Sequence, residues 1–324
     1  MRWRQGFVTA EGSFDAGGPV TSHVFRAEGT QHVFFTSYSD GHIHEYWWKS
    51  RPAQHGDLMH ASGAPRGVGP IASHVVEAEG TQHVFYQSSD QHIYELWWRS
   101  GEAVHVGDLT SASGGPLAAP DLGPLLTGSL ASHVFTAEGT QHVFYASGDG
   151  QVHELSWSGA ARPIYKNLTQ RTRRGGPAPR ATGPLTSHVV DATGVQHLFY
   201  VADGDVIELS WEPGQDPALR NLTSQTPGAP GVAGVSPLTS HVVDAEGAQH
   251  VFYVSADGHI NELWWPGVER PRREDLTFQS GGSIVTFTGP PTAFLKVPGH
   301  VLRSEGTQHV FFSTRRKTFE IWEI

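Results

Sequence analysis

Histidine and glutamate recur at fixed places in this chain, inside runs that are otherwise apolar. The first example is "GTQHVFFTSYSDGHIHEYWW", from Gly29 to Trp48. His32 and Glu45 stand 13 residues apart in it, and two tryptophans, Trp47 and Trp48, follow the glutamate. An imidazole and a carboxylate at strand positions need partners, because a buried polar group left unpaired costs about 1–3 kcal/mol. Together they can pass a proton, grip hydroxyl groups, or brace a sheet. The pairing occurs again as His83 with Glu95, His142 with Glu154, His197 with Glu208, His250 with Glu262 and His309 with Glu320. One active site needs its residues once. Six copies point to six equivalent sites or six equivalent struts, and no catalytic residue is assigned.

These residues ride on a repeat. "SHVFRAEGTQHVFF" at 22–35 is followed by close copies starting at 73, 132, 187, 240 and 299. The first histidines of the copies lie 51, 59, 55, 53 and 59 residues apart. "SHVF" and "QHVFY" have strand length and composition, and "AEGT" between them reads as a hairpin turn. A Ser/Asp/Gly turn leads to a third strand such as "HINELWW". A variable loop then ends in "GDLM" (56–59), "GDLT" (107–110), "KNLT" (166–169), "RNLT" (220–223) or "EDLT" (274–277), which reads as a fourth strand. Four short antiparallel strands per unit of 40–50 residues is the pattern of a propeller blade. The expectation is an all-β, six-bladed β-propeller occupying residues 1–324 as a single domain. The last copy stops in its third strand, so "GFVT" at 6–9 is expected to complete that blade and close the ring.

Within the third strand alternate residues share a face. The position three after the glutamate is Trp48, Trp98, Trp157, Trp211 and Trp265 in five copies and Glu323 in the sixth, which suits packing between blades. The position two after it is Trp47, Trp97, Trp264 and Trp322 in four copies, but Ser156 and Ser210 in two. A core site does not exchange Trp for Ser without a large cavity, so this position is expected to meet solvent. An exposed indole beside a carboxylate and an imidazole is the equipment for a sugar, whose C–H face stacks on the ring while its hydroxyls take hydrogen bonds.

Composition sets the outer limits. The 324 residues carry a formal net charge of -10 and no dense basic cluster, which argues against a nucleic-acid partner. There is no cysteine, so disulfides and thiolate chemistry are absent. No run reaches the length of a membrane-spanning helix, and the N-terminus has no signal-peptide core. Secretion with a leader removed stays open. The first-strand histidines, His23 to His300, read as struts; a metal in the central channel is the alternative, without a carboxylate at ligand spacing. No metal and no cofactor is assigned. "NLT" at Asn167 and Asn221 matches the glycosylation sequon, but both stand where other copies carry "DLT".

With "HVFY…HINELWW" on the page, the repeat resembles the six-bladed propeller lectins of the fungal fucose-binding, Aleuria type. In that family an Arg opens the second strand and a Glu follows about a dozen residues later in the third. His250 stands at the Arg position here, with Glu262 12 residues on. The resemblance implies inter-blade sugar sites built from the six His–Glu pairs with Trp47, Trp97, Trp264 and Trp322, and glycans carrying fucose or another monosaccharide as partners, bound by a monomer or dimer. The departure is His for Arg in every copy. Two other readings remain open: an enzyme using the extra histidines of blades one and two (His42, His44, His55, His60, His92 and His105), and a protein-interaction scaffold using the loops at 111–131, 170–186 and 278–298.

Overall fold

The computed structural model of the chain describes residues 4–7, 20–37, 39–50, 52–120, 130–234, 236–243, 247–279, 299–302, 307–314 and 317–322, the backbone alone for 4–7 and from 299 onward. The strands pair into four-stranded antiparallel sheets in which neighbours in sequence are neighbours in space. Blade one is Val20–Phe25, Thr30–Thr36, Ile43–Trp48 and Gln54–Asp57. Blade two is Gly67–Val76, Thr81–Ser88, Ile93–Arg99 and His105–Asp108. Blade three is Leu130–Phe135, Thr140–Ala146, Val152–Trp157 and Ile164–Asn167. Blade four is Leu185–Val190, Val195–Ala202, Asp205–Trp211 and Ala218–Asn221. Blade five is Leu238–Val243, Ala248–Val254, Ile260–Pro266 and Arg272–Asp275. A further sheet joins the two ends of the chain: Gly299–Leu302, Thr307–Thr314, Lys317–Trp322 and, outermost, Arg4–Phe7.

The terminal strand therefore begins earlier than the 6–9 expected from the sequence; residues 8 and 9 lie outside the described residues. The cause is visible in the complete blades. The "DLT" motif is not the fourth strand but its end. Asp57 closes the strand and caps a short helix, Leu58–Ser62, by accepting hydrogen bonds from the backbone N–H of Met59 and His60. Asp108 caps Leu109–Ser113 and Asn221 caps Leu222–Gln225 in the same way. The strand precedes the motif, so a strand aligned on the motif is placed too late.

The core lies between blades. Faces of aromatic and aliphatic side chains are shared by neighbouring blades: Phe34 and Ile43 of blade one, for example, pack with Val84, Tyr86, Leu96 and Trp98 of blade two. The tryptophan three after each glutamate is the wedge. Trp98, Trp157, Trp211 and Trp265 are buried and meet Phe34, Phe85, Phe144 and Phe199 of the preceding blade edge-on, at 5.9–6.1 Å between ring centroids. That geometry suits the ring quadrupoles. The hairpin turns need Gly29 and Gly80, whose φ of 68° and 65° lie in the left-handed region. Buried tyrosines anchor the inter-blade loops: Tyr86 donates to the Pro65 carbonyl and Tyr145 to that of Pro116. Among the described residues no helix is long and apolar enough to cross a membrane.

The innermost strands follow one another in order, and the strand Gly299–Leu302 lies against those of both blade five and blade one. Their histidines tie the blades together. His23 Nε2 donates to Gln82 Oε1 of blade two at 3.0 Å, and His74 with Gln141, His133 with Gln196 and His188 with Gln249 repeat this across successive blades. Burial first, and then the neighbouring second-strand histidine, holds His74, His133 and His188 well below the ordinary histidine pKa. They fold as neutral rings. Below about pH 6.5 the unfolded chain takes up protons that these rings refuse, so stability falls with falling pH. Each ring is expected to remove about 1.4 kcal/mol per pH unit there. In His133→Gln the loss measured by urea unfolding between pH 6.5 and 5.5 should shrink by about 1 kcal/mol, since the unfolded ring is only half protonated at the upper pH; an unchanged pH dependence would contradict the neutral-strut assignment.

Candidate functional site

Strand pairing sets the candidate residues side by side. His32 is the cross-strand partner of Trp47, His83 of Trp97 and His250 of Trp264, while Ser156 and Ser210 stand beside His142 and His197. Glu45 is two residues from Trp47 and so shares its face. This is also the face of Phe34, against which blade two wedges Trp98. In blades one to four the constellation thus faces the next blade, on the side where the neighbour's tryptophan packs.

Each described histidine and glutamate form one unit. His32 Nδ1 lies 2.6 Å from Glu45 Oε1, His83 2.7 Å from Glu95, His142 2.7 Å from Glu154, His197 2.7 Å from Glu208 and His250 2.6 Å from Glu262. An ionised carboxylate only accepts, so Nδ1 carries the proton. In blades one to three a threonine hydroxyl meets the other nitrogen: Thr30 at His32 Nε2, Thr81 at His83 Nε2 and Thr140 at His142 Nε2, each at 2.7 Å. The ring then has no donor to spare. Blades four and five carry Val195 and Ala248 at the threonine position, and His250 Nε2 is buried with no hydrogen-bond partner among the described residues. Glu45 is 6% exposed and His32 3%. Of His309, Glu320 and Trp322 only the backbone is described, and its register pairs His309 with Trp322 as in the other blades.

What distinguishes the blades is the fourth strand, a signal present in the sequence as GD, KN, RN and ED but not used in the expectation. The residue opposite the glutamate is Gly56 in blade one and Gly107 in blade two. It is Lys166, Arg220 and Glu274 in blades three, four and five. A Cβ at Gly56 would approach the Trp47 ring to 3.3 Å, and one at Gly107 would lie 3.8 Å from Glu95 Oε2. Glycine leaves the flank of the carboxylate uncovered by any outer-strand side chain. In blade four Arg220 covers it, with Nη1 3.2 Å from Glu208 Oε2 and the guanidinium 5.5 Å from the centre of the Trp265 ring. That cleft is plugged by the chain's own cation.

Trp47, Trp97 and Trp264 at the variable position are partly exposed, as the Trp/Ser exchange implied. Trp97 is stacked by His105 at 4.2 Å and Trp264 is covered by Arg272 at 4.8 Å, so one face of each is occupied from the fourth strand. Three of the extra histidines, His42, His44 and His55, lie together in blade one, away from the His32–Glu45 pair, while His92 and His105 belong to blade two. His105 belongs to the Trp97 stack, and His42 and His92 each bind the helix-capping Asp57 or Asp108 at 2.8 Å, a contact His259 repeats with Asp275. The cross-blade glutamines, Gln82 and its counterparts, were missed by sequence reasoning, although their place beside every second-strand histidine was a signal. Asn221 and Asn167 are engaged internally, Asn167 accepting from the backbone of Thr169 and Gln170.

No family model matches the chain, and none of the curated proteins matches it. Solved structures do. AofleA from Arthrobotrys oligospora superposes with a TM-score of 0.65 at 15% identity, covering 100% of this chain and 88% of its own. The lectin of Aleuria aurantia, described as a six-bladed β-propeller with a novel fucose recognition mode, gives 0.62 at 15% identity, covering 93% and 89%. A lectin from Burkholderia pseudomallei gives 0.58 at 16%, covering 96% and 82%. Likeness at this identity carries the fold: the chain is a β-propeller of four-stranded antiparallel blades.

The two parts of the constellation should respond differently to truncation. Glu95→Ala leaves a buried imidazole without its acceptor and should cost about 1–3 kcal/mol in urea unfolding. Trp97→Ser, which installs the residue found in blades three and four, should cost clearly less. The reverse order would mean that Trp97 is the structural member.

Proposed function

We propose that the protein is a lectin with several sugar sites in the clefts between blades of a six-bladed ring. The ring reading, a single propeller over residues 1–324, draws on the sheet that joins both chain ends and on the position of its inner strand between blades five and one. The observation that carries the function is the carboxylate of blades one and two. It is fixed by a buried histidine on one oxygen, flanked by glycine rather than a side chain, and set beside a partly exposed indole. Such a group is held in place for a ligand hydroxyl, and the indole offers its face to C–H groups. The likeness to lectins whose descriptions name fucose and α-methyl fucoside supports a fucose-like monosaccharide as the first ligand to test.

In this reading the histidine does not replace the family's arginine as a donor to the sugar. Its two nitrogens are committed to Glu and Thr in blades one and two, so His32 and His83 act by orienting Glu45 and Glu95. The clefts of blades one and two are the strongest sites. Blade five keeps Trp264 under Arg272, with Glu274 in place of glycine. Blades three and four lack the indole, and Arg220 already neutralises Glu208. Two or more weak sites on one rigid ring would gain avidity on a surface dense in glycans.

Calorimetry with methyl α-L-fucoside and a panel of other monosaccharides tests this. Trp47→Ala and Trp97→Ala should each weaken binding at their cleft roughly tenfold, about 1.4 kcal/mol. Gly107→Arg, which copies the cation of blade four at a position where a Cβ meets Glu95 only at ordinary contact distance, should lower the number of sites by one and leave the fold intact. No heat with any sugar of the panel would overturn the proposal.

A further inference from the structure

Blade one departs from the others at the loop end of its third and fourth strands, on the opposite face from the cleft. The residue that closes the fourth strand pairs with His44 in blade one, Tyr94 in blade two and Asn261 in blade five. In these three blades the turn before the third strand also supplies an aspartate: Asp40, Asp90 and Asp257. Two carboxylates aimed at one place repel unless a positive charge or a donor lies between them. Blade five meets this with its own cation, Arg273, 2.8 Å from Asn261 Oδ1 and 3.3 Å from Asp275 Oδ2. Blade two uses the Tyr94 hydroxyl, which donates to Asp90 at 3.0 Å. Blade one has imidazoles at both positions: His44 for Tyr94, and His55 for Arg273.

The blade-one group has metal-ligand spacing. One donor atom from each of Asp40, His44 and Asp57 lies within 4.8 Å of the other two. His44 Nε2 is 3.3 Å from Asp40 Oδ2, about the separation of two ligands that stand about 2.0–2.1 Å from one tetrahedral ion. The other ring nitrogen, Nδ1, is 3.1 Å from His55 Nε2, so His55 orients the ring from the far side. A second layer fixes the carboxylates, as ligand carboxylates require. His42 donates through Nδ1 to Asp57 Oδ2, and its backbone N–H donates to Asp40 Oδ1. The Met59 and His60 N–H groups hold Asp57 Oδ1. The His44 ring is buried and stacked on Phe35, whereas Asp40 and Asp57 are partly open to solvent, which gives an ion a way in.

We propose that blade one binds one divalent transition-metal ion through Asp40, His44 and Asp57, with water completing the coordination. Mixed imidazole and carboxylate ligands suit Zn2+, Co2+ or Ni2+ rather than Ca2+ or Mg2+, which take oxygen sets. The ion would pin the turn before the third strand to the end of the fourth. His44 points away from Glu45 and Trp47, its neighbours in the strand, so this site is separate from the sugar cleft.

The test is calorimetry with Zn2+ on the full chain without an affinity tag, after chelator treatment, together with the thermal midpoint with and without Zn2+. The expected result is one Zn2+ per chain and a raised midpoint, with binding at least tenfold weaker in both His44→Tyr and Asp57→Asn. His44→Tyr installs the blade-two residue; Asp57→Asn installs the cap of blades three and four, so it carries the test if the first variant does not fold. Absence of stoichiometric binding, or equal Zn2+ binding by the folded variants, would overturn the site and point to scattered surface histidines.

Discussion

An imidazole set in the middle of an apolar strand has two nitrogens and no water, and a nitrogen left unpaired is costly. The second-strand rings of blades one to three meet this in full, whereas Nδ1 of His74, His133 and His188 and Nε2 of His250 are buried without a hydrogen bond among the described residues. The second-strand histidine turns one nitrogen to a glutamate of its own blade and, in blades one to three, the other to a threonine. The first-strand histidine reaches the glutamine of the next blade. The two rings face each other across the strand pair, as His23 and His32 do at 5.3 Å. A motif of two histidines, a glutamine and a glutamate therefore serves both closure within a blade and attachment between blades. Losing any member leaves a buried polar atom behind, which is a sufficient physical reason for the motif to recur unchanged while the loops vary.

The same network leaves one variable element, the edge of the cleft. Once the carboxylate is held by histidine, its availability depends on the outer strand. Glycine leaves it open, and arginine closes it with an ion pair and a cation–π contact. In blades one to four Trp or Ser two places after the glutamate varies in step: Trp in the blades with Gly56 and Gly107, Ser in those with Lys166 and Arg220; blade five has Trp264 with Glu274. Blades that share a scaffold thus differ in what they present. A ring of this kind can keep its stability constant while two or three clefts specialise, because the struts and the contact surface are different residues.

Much of this was legible in the sequence. The repeat, the blade pattern and the distinction between Trp48 and Trp47 followed from period, turn chemistry and the size difference between Trp and Ser. The wedge role of Trp98 and its counterparts and the partial exposure of Trp47 follow the same logic in three dimensions. Three things were not legible. The terminal strand was placed at 6–9 rather than at Arg4–Phe7, because the repeated "DLT" carries a helix cap and the strand itself has no fixed composition. The cross-blade role of Gln82 was hidden because a contact between residues 59 apart leaves no local pattern. Whether His32 and Glu45 brace or bind could not be read at all, since burial and ligand contact favour the same residue types. Geometry shows the histidine bracing the glutamate, and this is why the proposed ligand contact is assigned to the glutamate rather than to the histidine.

The most direct measurement is X-ray diffraction from crystals of the protein soaked with methyl α-L-fucoside. The account predicts sugar density in the clefts beside Trp47 and Trp97, with hydroxyls on Glu45 and Glu95, and none in the cleft that Arg220 fills. Density confined to the central channel or to the clefts of blades three and four, with those of blades one and two empty, would contradict it.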